Sequence, residues 1–346
     1  MASRALAVKY RPQTFEEVTE QEILTTILKQ QISSKQIQHC YLFCGPAGCG
    51  KTTCARIFAN EINGGQGIPV ELDAASNNGV EDVRNIIQQA QTKSLDSEYK
   101  VFIIDECHSL SNAGWQAFLK LLEEPPAKSI FIFCTTDPQK IPKTILSRVQ
   151  RYDFQRISQQ GIVHRLQYIL ANENIIVDQS NINAIEYIAK LADGGLRDAI
   201  SLMDKCLAFT DELTLETVVK VLGVVDYDEM FKFTDTIIEN KLNESIQLIE
   251  SVHTSGKDLK QFVKQYIQFL LDIQKYAIGC DWKYISLPRL SQYEEWLKGC
   301  GTYEFDRCFE LLDCMLKINN KIKYSSVPKC VIETEVLLTF GGVNED

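Results

Sequence analysis

Short apolar runs at 41–44, 69–72, 101–104 and 129–134 alternate with longer stretches in which apolar residues recur every three or four positions. The first kind predicts buried strands and the second amphipathic helices. Residues 21–32 place Ile23, Leu24, Ile27 and Leu28 on one expected buried face, and residues 80–92 do the same with Val83, Ile86 and Ile87. Helices are also expected over 52–62 and 115–122, the latter halted at Pro125 and Pro126, which cannot continue it. Near the start, Pro12 blocks a helix and Thr14 stands where it would cap the acidic stretch that begins at Phe15. Strand and helix alternating as far as Phe154 predict an α/β domain on a doubly wound parallel sheet.

From Ser158 the strand signal fades. Periodic stretches at 162–172, 181–191 and 196–209 predict a small helical lid, its third helix preceded by Asp193, Gly194 and Gly195. Beyond Gly223 the pattern stays helical, over 227–240, 242–252 and 258–277. In the last of these Leu259, Phe262, Val263, Tyr266 and Leu270 form a wide apolar face, which fits packing inside a bundle or against a neighbouring subunit equally well. The expected domains are 1–156, 157–222 and 223–346.

Composition narrows the class. With 45% hydrophobic and 24% charged residues in 346, neither disorder nor a fibrous repeat is expected. No run approaches the ~20 apolar residues of a membrane span, and the first residues lack a signal-peptide core, so a cytoplasmic protein without membrane contact is expected. The 12 cysteines are scattered, contain no C-x-x-C pair and lie partly in apolar runs, as Cys44 and Cys134 do; they read as reduced core residues. A net charge of −10 disfavours a broad basic face, so any DNA contact must be local.

The most specific chemistry lies at Gly45-Pro-Ala-Gly48-Cys-Gly50-Lys51-Thr52, directly after the first apolar run. Glycines there let backbone N–H groups converge on a phosphate at a helix start, with Lys51 reaching the same phosphates as a mobile point charge and Thr52 ligating the magnesium that accompanies them. The run 101–104 ends in Asp105 and Glu106. Asp105 would hold magnesium through water and Glu106 would orient the attacking water. Thr135 and Thr136 end the next strand at the same sheet edge, and Arg197 sits in the first turn of a helix, where a cation is unfavourable unless an anion faces it.

With these pieces placed, the chain resembles the AAA+ clamp-loader ATPases, specifically the gamma/tau subunits of bacterial DNA polymerase III. The stretches that carry the resemblance are Lys9-Tyr10-Arg11-Pro12-Gln-Thr-Phe15, the glycine-rich loop, Asp73-Ala-Ala-Ser76, Val80-Glu-Asp82, Ile104-Asp-Glu106, Leu121-Leu-Glu-Glu-Pro-Pro126, Thr135-Thr-Asp-Pro-Gln-Lys140, Ile145-Leu-Ser-Arg148 and Gly194-Gly-Leu-Arg-Asp-Ala-Ile-Ser201. The resemblance implies an AAA+ P-loop domain, a helical lid and an all-α collar, with ATP and Mg2+ as cofactors. It places the nucleotide among Tyr10, Arg11, Pro12, Gly45, Gly48, Gly50, Lys51, Thr52, Thr53, Asp105 and Arg197, with Thr52 and Asp105 on the metal. Thr136 looks like sensor 1, Arg197 like sensor 2, Glu106 like the catalytic carboxylate and Arg148 like an arginine finger that reaches a neighbour's nucleotide. Arg84, Lys140 and Thr144 match DNA-contacting positions. The implied partners are copies of the chain, delta- and delta-prime-like subunits, a sliding clamp and primer-template DNA.

Two departures stand out. Only Gly64-Gly-Gln-Gly-Ile-Pro69 fills the interval in which the family usually carries a four-cysteine zinc module, so no zinc site is expected. Ser147-Arg148-Val149 stands where the family tends to read Ser-Arg-Cys, which leaves the finger itself intact. Asn77 and Gly79 occupy positions that are often basic, which points to weaker DNA contact per subunit. The chain ends after the expected collar, as the short gamma form does, and either a bacterial or a phage source fits. The alternatives are a replication factor C-like small subunit, another AAA+ remodeller, or a scaffold subunit that does not hydrolyse ATP.

Overall fold

The computed structural model describes residues 5–341 except 93, 95, 176, 211, 223–226, 257 and 288–290. The chain divides into two compact units, 1–215 and 216–346. The expected start of a third domain at residue 223 lies outside the described residues.

In the first unit, α1 (Leu6–Lys9) and α2 (Glu22–Ser34) precede β1 (Cys40–Cys44), α3 (Lys51–Ile62), β2 (Val70–Asp73), α4 (Val80–Gln91) and β3 (Lys100–Asp105). Then come α5 (Asn112–Glu123), β4 (Ser129–Thr135), α6 (Lys143–Leu146), β5 (Gln150–Asp153), α7 (Gln159–Asn172), α8 (Gln179–Leu191) and α9 (Leu196–Phe209). The strands form one parallel sheet in the order β2-β3-β4-β1-β5. Both faces are covered, which is why the central strands read as continuous apolar runs rather than alternating ones. Tyr41, Phe43, Ile103 and Ile132 pack on one side with Leu24, Leu28 and Phe58. Leu42, Phe102, Ile104, Phe131 and Phe133 pack on the other with Val83, Trp115, Phe118 and Leu122.

Several expectations are corrected. Leu24 and Leu28 are buried, but Ile23 is 80% exposed and Ile27 also faces out. The buried stripe of α2 is Leu24, Thr25 and Leu28, one helical step round from the pair at 23 and 27. Helix α5 starts three residues before the expected Trp115, because the Ser111 hydroxyl accepts the Gly114 amide at 3.1 Å and caps it. Thr14 occupies the cap position of a short turn at Phe15–Glu17 without bonding it through its side chain.

The second unit is helical: α10 (Leu215–Leu222) begins at its boundary, followed by α11 (Tyr227–Ile238), α12 (Leu242–Thr254), α13 (Leu259–Ala277), α14 (Ser291–Gly299), α15 (Thr302–Ile322) and α16 (Pro328–Phe340). Leu259, Phe262, Val263, Tyr266 and Leu270 all lie in this unit's own core beside Leu311, Met315 and Ile332, so the wide face of α13 packs within the bundle. The Asp258 side chain caps α13 by accepting the Lys260 amide at 2.8 Å. Among the described residues no helix is long and apolar enough to cross a membrane.

The first unit's core is testable at Phe133, whose ring lies 5.3 Å from Phe118 and 5.6 Å from Trp115, centroid to centroid. Phe133→Ala should destabilise this unit by about 3–5 kcal/mol. The measurement is the shift of its unfolding midpoint in urea; a shift below about 1 kcal/mol contradicts the packing described.

Candidate nucleotide site

β1 lies between β4 and the edge strand β5 and delivers the chain at Cys44 between their ends. Gly45 N–H donates to Thr135 O at 3.1 Å and Phe154 N–H to Cys44 O at 2.7 Å, so both neighbouring strands hold the loop's start. Gly48 and Gly50 have φ of +70° and +101°, a region that side-chain-bearing residues rarely adopt. Helix α3 begins at Lys51, and Gly50 at its cap offers no side chain to satisfy the first amides. Those N–H groups and the helix dipole form an anion-binding end.

A cavity of about 250 Å³ opens there. Its loop side is lined by Ala47, Gly48, Cys49, Gly50, Lys51, Thr52 and Thr53, with Asp105 and Glu106 from the end of β3. Leu196, Arg197, Asp198 and Ile200 from α9 face it, with Ile157. Ala7, Tyr10, Arg11, Pro12, Val18 and Thr19 complete the wall. The wall combines the loop's backbone donors and charged side chains with the apolar Val18, Ile157, Leu196 and Ile200. That mixture suits a ligand that carries both phosphates and a flat ring.

Lys51 is 6% exposed, and its Nζ donates to Gly45 O at 2.9 Å and Pro46 O at 2.7 Å. The lysine is thus held by its own loop, not mobile as expected. Gly45 does not line the cavity: its backbone is tied to β4, and a Cβ there would meet Phe154 O at 2.6 Å. Thr52 Oγ1 donates to Asp105 Oδ2 at 2.7 Å, and Asp105 Oδ1 accepts the Glu106 amide at 3.0 Å. A hydroxyl and a carboxylate, both hard oxygen donors beside the phosphate end, fit a magnesium ion carried by a nucleotide. Thr136 lies outside the lining, but its Oγ1 donates to Glu106 Oε2 at 3.0 Å. His108 Nδ1 lies 3.2 Å from the same oxygen.

The lid side is fixed by backbone. A Cβ on Gly48 would lie 3.0 Å from Gly195 Cα, so the phosphate loop and the start of α9 touch main chain to main chain. Arg197 follows two residues later, its charge accompanied by Asp198 in the same first turn. The N-terminal wall is fastened to the lid as well. Lys9 Nζ and Tyr10 Oη both donate to Glu173 at 2.5 Å, and Arg165 donates to Tyr10 O at 3.0 Å. Lys9 and Tyr10 hold the Glu173 carboxyl below its usual value. Ala7, Val18, Thr19, Ile157 and Ile200 were not foreseen; nothing local marks them, since the tertiary fold alone gathers them.

Arg148 is not brought to the cavity. It pairs with Glu123 at 2.8 Å and donates to Thr144 O at 2.7 Å on an exposed surface. Arg84, Lys140 and Thr144 are also exposed, Arg84 pairing with Glu81 at 3.1 Å and Lys140 with Asp137 at 3.2 Å. Burial pushes the Cys40 and Cys54 thiols up to about 12, which leaves them unreactive. Among the described residues no cluster of three or more His, Cys, Asp or Glu could hold a metal ion by itself.

Three family models match successive segments: "DNA polymerase III, delta subunit" over 70–158, "DNA polymerase III clamp loader subunit, ATPase lid domain" over 161–212, and "DNA polymerase III subunits gamma and tau domain III" over 213–338. The DNA polymerase III subunit tau of Bacillus subtilis is 33% identical over 359 residues, covering 97% of this chain. The chain belongs to the DNA polymerase III gamma/tau family. Escherichia coli subunit tau is likewise 33% identical, over 83% of this chain. This family member spans 63% of the B. subtilis protein's length and 48% of the E. coli protein's. Among solved structures, the Thermotoga maritima RuvB Holliday junction branch migration motor matches 74% of this chain and 91% of its own, with TM-score 0.52 and 20% identity, a likeness of fold alone. The α/β P-loop domain of AAA+ type with helical segments after it is thus borne out.

The Glu173 contact has a pH signature. A carboxyl with a depressed folded-state value supplies its stabilisation above the unfolded value, about 4.3, and loses it as pH falls through the folded one. Protection of the amides of residues 6–10 against exchange, relative to their intrinsic rates at each pH, should therefore fall on acidification below about pH 4.3, and Glu173→Gln should remove that step. An unchanged pH profile in Glu173→Gln contradicts the contact.

Proposed function

We propose that this chain is an ATP-hydrolysing clamp-loader subunit that opens a ring-shaped sliding clamp and loads it onto primer-template DNA during replication in the cytoplasm. It works in an assembly with copies of itself and delta- and delta-prime-like chains, organised as a P-loop domain at 1–156, a lid at 157–222 and a collar at 223–346. The observation that carries this reading is the joining of phosphate loop, Thr52–Asp105 pair and lid Arg197 around one cavity, in a chain of this family.

The first amides of α3 and the Lys51 ammonium bind the β- and γ-phosphates, Lys51 leaving its loop carbonyls to do so. When bound, magnesium at Thr52 and Asp105 neutralises charge building on the phosphate oxygens. Glu106 holds the water in line with the γ-phosphorus; the new P–O bond forms as the bond to the β–γ bridging oxygen breaks, giving ADP, phosphate and a proton. Arg197 reads the γ-phosphate from the lid and couples its loss to the lid angle. Arg148 reaches the nucleotide of the adjoining copy, and exposed Arg84, Lys140 and Thr144 touch DNA locally. ATPase activity stimulated by clamp plus primed DNA tests the whole reading. A chain indifferent to the clamp would be another remodeller, and one without hydrolysis a scaffold.

Lys51→Ala should nearly abolish nucleotide binding, whereas Glu106→Gln should keep binding and lose hydrolysis. Calorimetric or fluorescent nucleotide titration decides, and wild-type affinity in Lys51→Ala rejects its role.

Arg148→Ala should leave the affinity of isolated chains near normal and cut ATPase of the assembly by roughly 10³–10⁵, the range known for fingers supplied in trans. Mixing Arg148→Ala with Glu106→Gln chains should restore part of the activity, since an intact Arg148 can complete a neighbour's intact Glu106. Mixed assemblies no more active than either mutant reject the shared site.

A further inference from the structure

Glu106 directly follows β3 and lies in the left-handed region, with φ +46°. That conformation costs a side-chain-bearing residue roughly 1–2 kcal/mol, and it persists where surrounding contacts hold it. Two side chains hold it here through one oxygen. Thr136 Oγ1 donates to Glu106 Oε2 at 3.0 Å, and His108 Nδ1 lies 3.2 Å from that same atom. The imidazole is itself seated: Nδ1 is 3.1 Å from Thr135 Oγ1, which accepts the Asp137 amide at 3.0 Å. Its side chain is 17% exposed, so water competes weakly for the contact. An ionised carboxylate only accepts, so the contact with Glu106 favours the tautomer with its proton on Nδ1, an N–H that lies as close to Thr135 Oγ1 as to Glu106 Oε2.

We propose that His108 is a positioning residue for ATP hydrolysis. Its Nδ1–H, shared with Thr135 Oγ1, and the Thr136 hydroxyl both meet Glu106 Oε2 and fix the carboxylate rotamer, leaving Oε1 to hold the attacking water. Neither group touches the nucleotide or moves a proton. Both act by removing the rotational freedom that an exposed-edge glutamate would otherwise keep, so that water is held in line for a larger share of the time. This inference rests on the ATPase reading of the site.

The test compares the full chain, assembled with clamp and primed DNA, as wild type, His108→Ala, His108→Asn and His108→Gln. The Asn amide N–H falls close to the Nδ1 position, whereas the longer Gln places its amide where Nε2 was. The readouts are kcat, KM for ATP and the thermal midpoint. His108→Ala and His108→Gln should lower kcat about tenfold with KM within twofold of wild type, while His108→Asn stays within threefold. Tenfold corresponds to about 1.4 kcal/mol, of the order of a single hydrogen bond to a charged group. If His108→Ala does not fold, the Asn and Gln pair decides. Equal kcat in those two, kcat of His108→Ala within twofold of wild type, or a loss confined to KM overturns the proposal. Wild-type chain without ATPase activity overturns the reading of the site and this inference with it, whereas active wild type matched by His108→Ala overturns the inference alone.

Discussion

The contact on which the site depends is made by two glycines that have no side chains to separate them. Gly48, at φ +70°, presses its backbone against Gly195, where an added Cβ would come within 3.0 Å of the neighbour's Cα. Gly194 in turn turns at φ +85° with Arg156 packed over it, and Arg156 closes the corner by pairing with Asp193 at 2.5 Å. The backbones that carry Lys51 and Arg197 are thus set relative to each other by main-chain contact. A cavity bounded in this way responds to whatever fills it, because a ligand touching both sides binds differently as their spacing changes.

The sheet supplies the other half of the geometry. Its strands are parallel and covered on both faces, so the C-terminal edge is the part of the layer left open for polar groups. β1, β3 and β4 each deliver one element there: the phosphate loop, Asp105 with Glu106, and Thr135 with Thr136. The backbone register pairs Cys44 with Thr135 and Ile104 with Phe133, bringing three separate stretches of sequence to one line. The hydroxyls and carboxylates on that line then bond one another, Thr52 to Asp105 and Thr136 to Glu106.

Features that repeat locally were legible in the sequence, and those created by distant contact were not. The central strands and the phosphate loop could be read because burial on two faces demands unbroken apolar runs and phosphate binding demands glycines. β5 is polar at three of its four residues, exposing Gln150, Arg151 and Asp153 at the sheet's edge, so no apolar run marks it. Ile23 and Ile27 had the spacing of a buried stripe but lie beside the true one, a difference that only the orientation of α2 decides. The apolar part of the cavity lining joins Val18, Ile157 and Ile200, residues spread along most of the first unit's sequence. His108 did carry a signal, one of only four histidines and two residues beyond the carboxylate pair, but its meaning depends on the left-handed turn at Glu106 that swings it back.

Lys51 in the site and Arg148 outside it differ in how firmly they are held, and that difference follows from burial. Lys51 is almost fully enclosed, bonded to two carbonyls that no other group satisfies as closely, and gives up those bonds only to a stronger acceptor such as a phosphate. Arg148 is tethered by Glu123 with both side chains partly in solvent, at 34% and 53% exposure. A pair of that kind contributes at most about 1 kcal/mol and is screened by salt. On the proposed shared site, moving the Arg148 guanidinium from Glu123 and Thr144 O to a phosphate on an adjoining copy would exchange two exposed contacts for one to a more highly charged acceptor. In the proposed assembly, a guanidinium weakly held at home and an ammonium tightly held in its loop would let one chain keep its own nucleotide while serving its neighbour's.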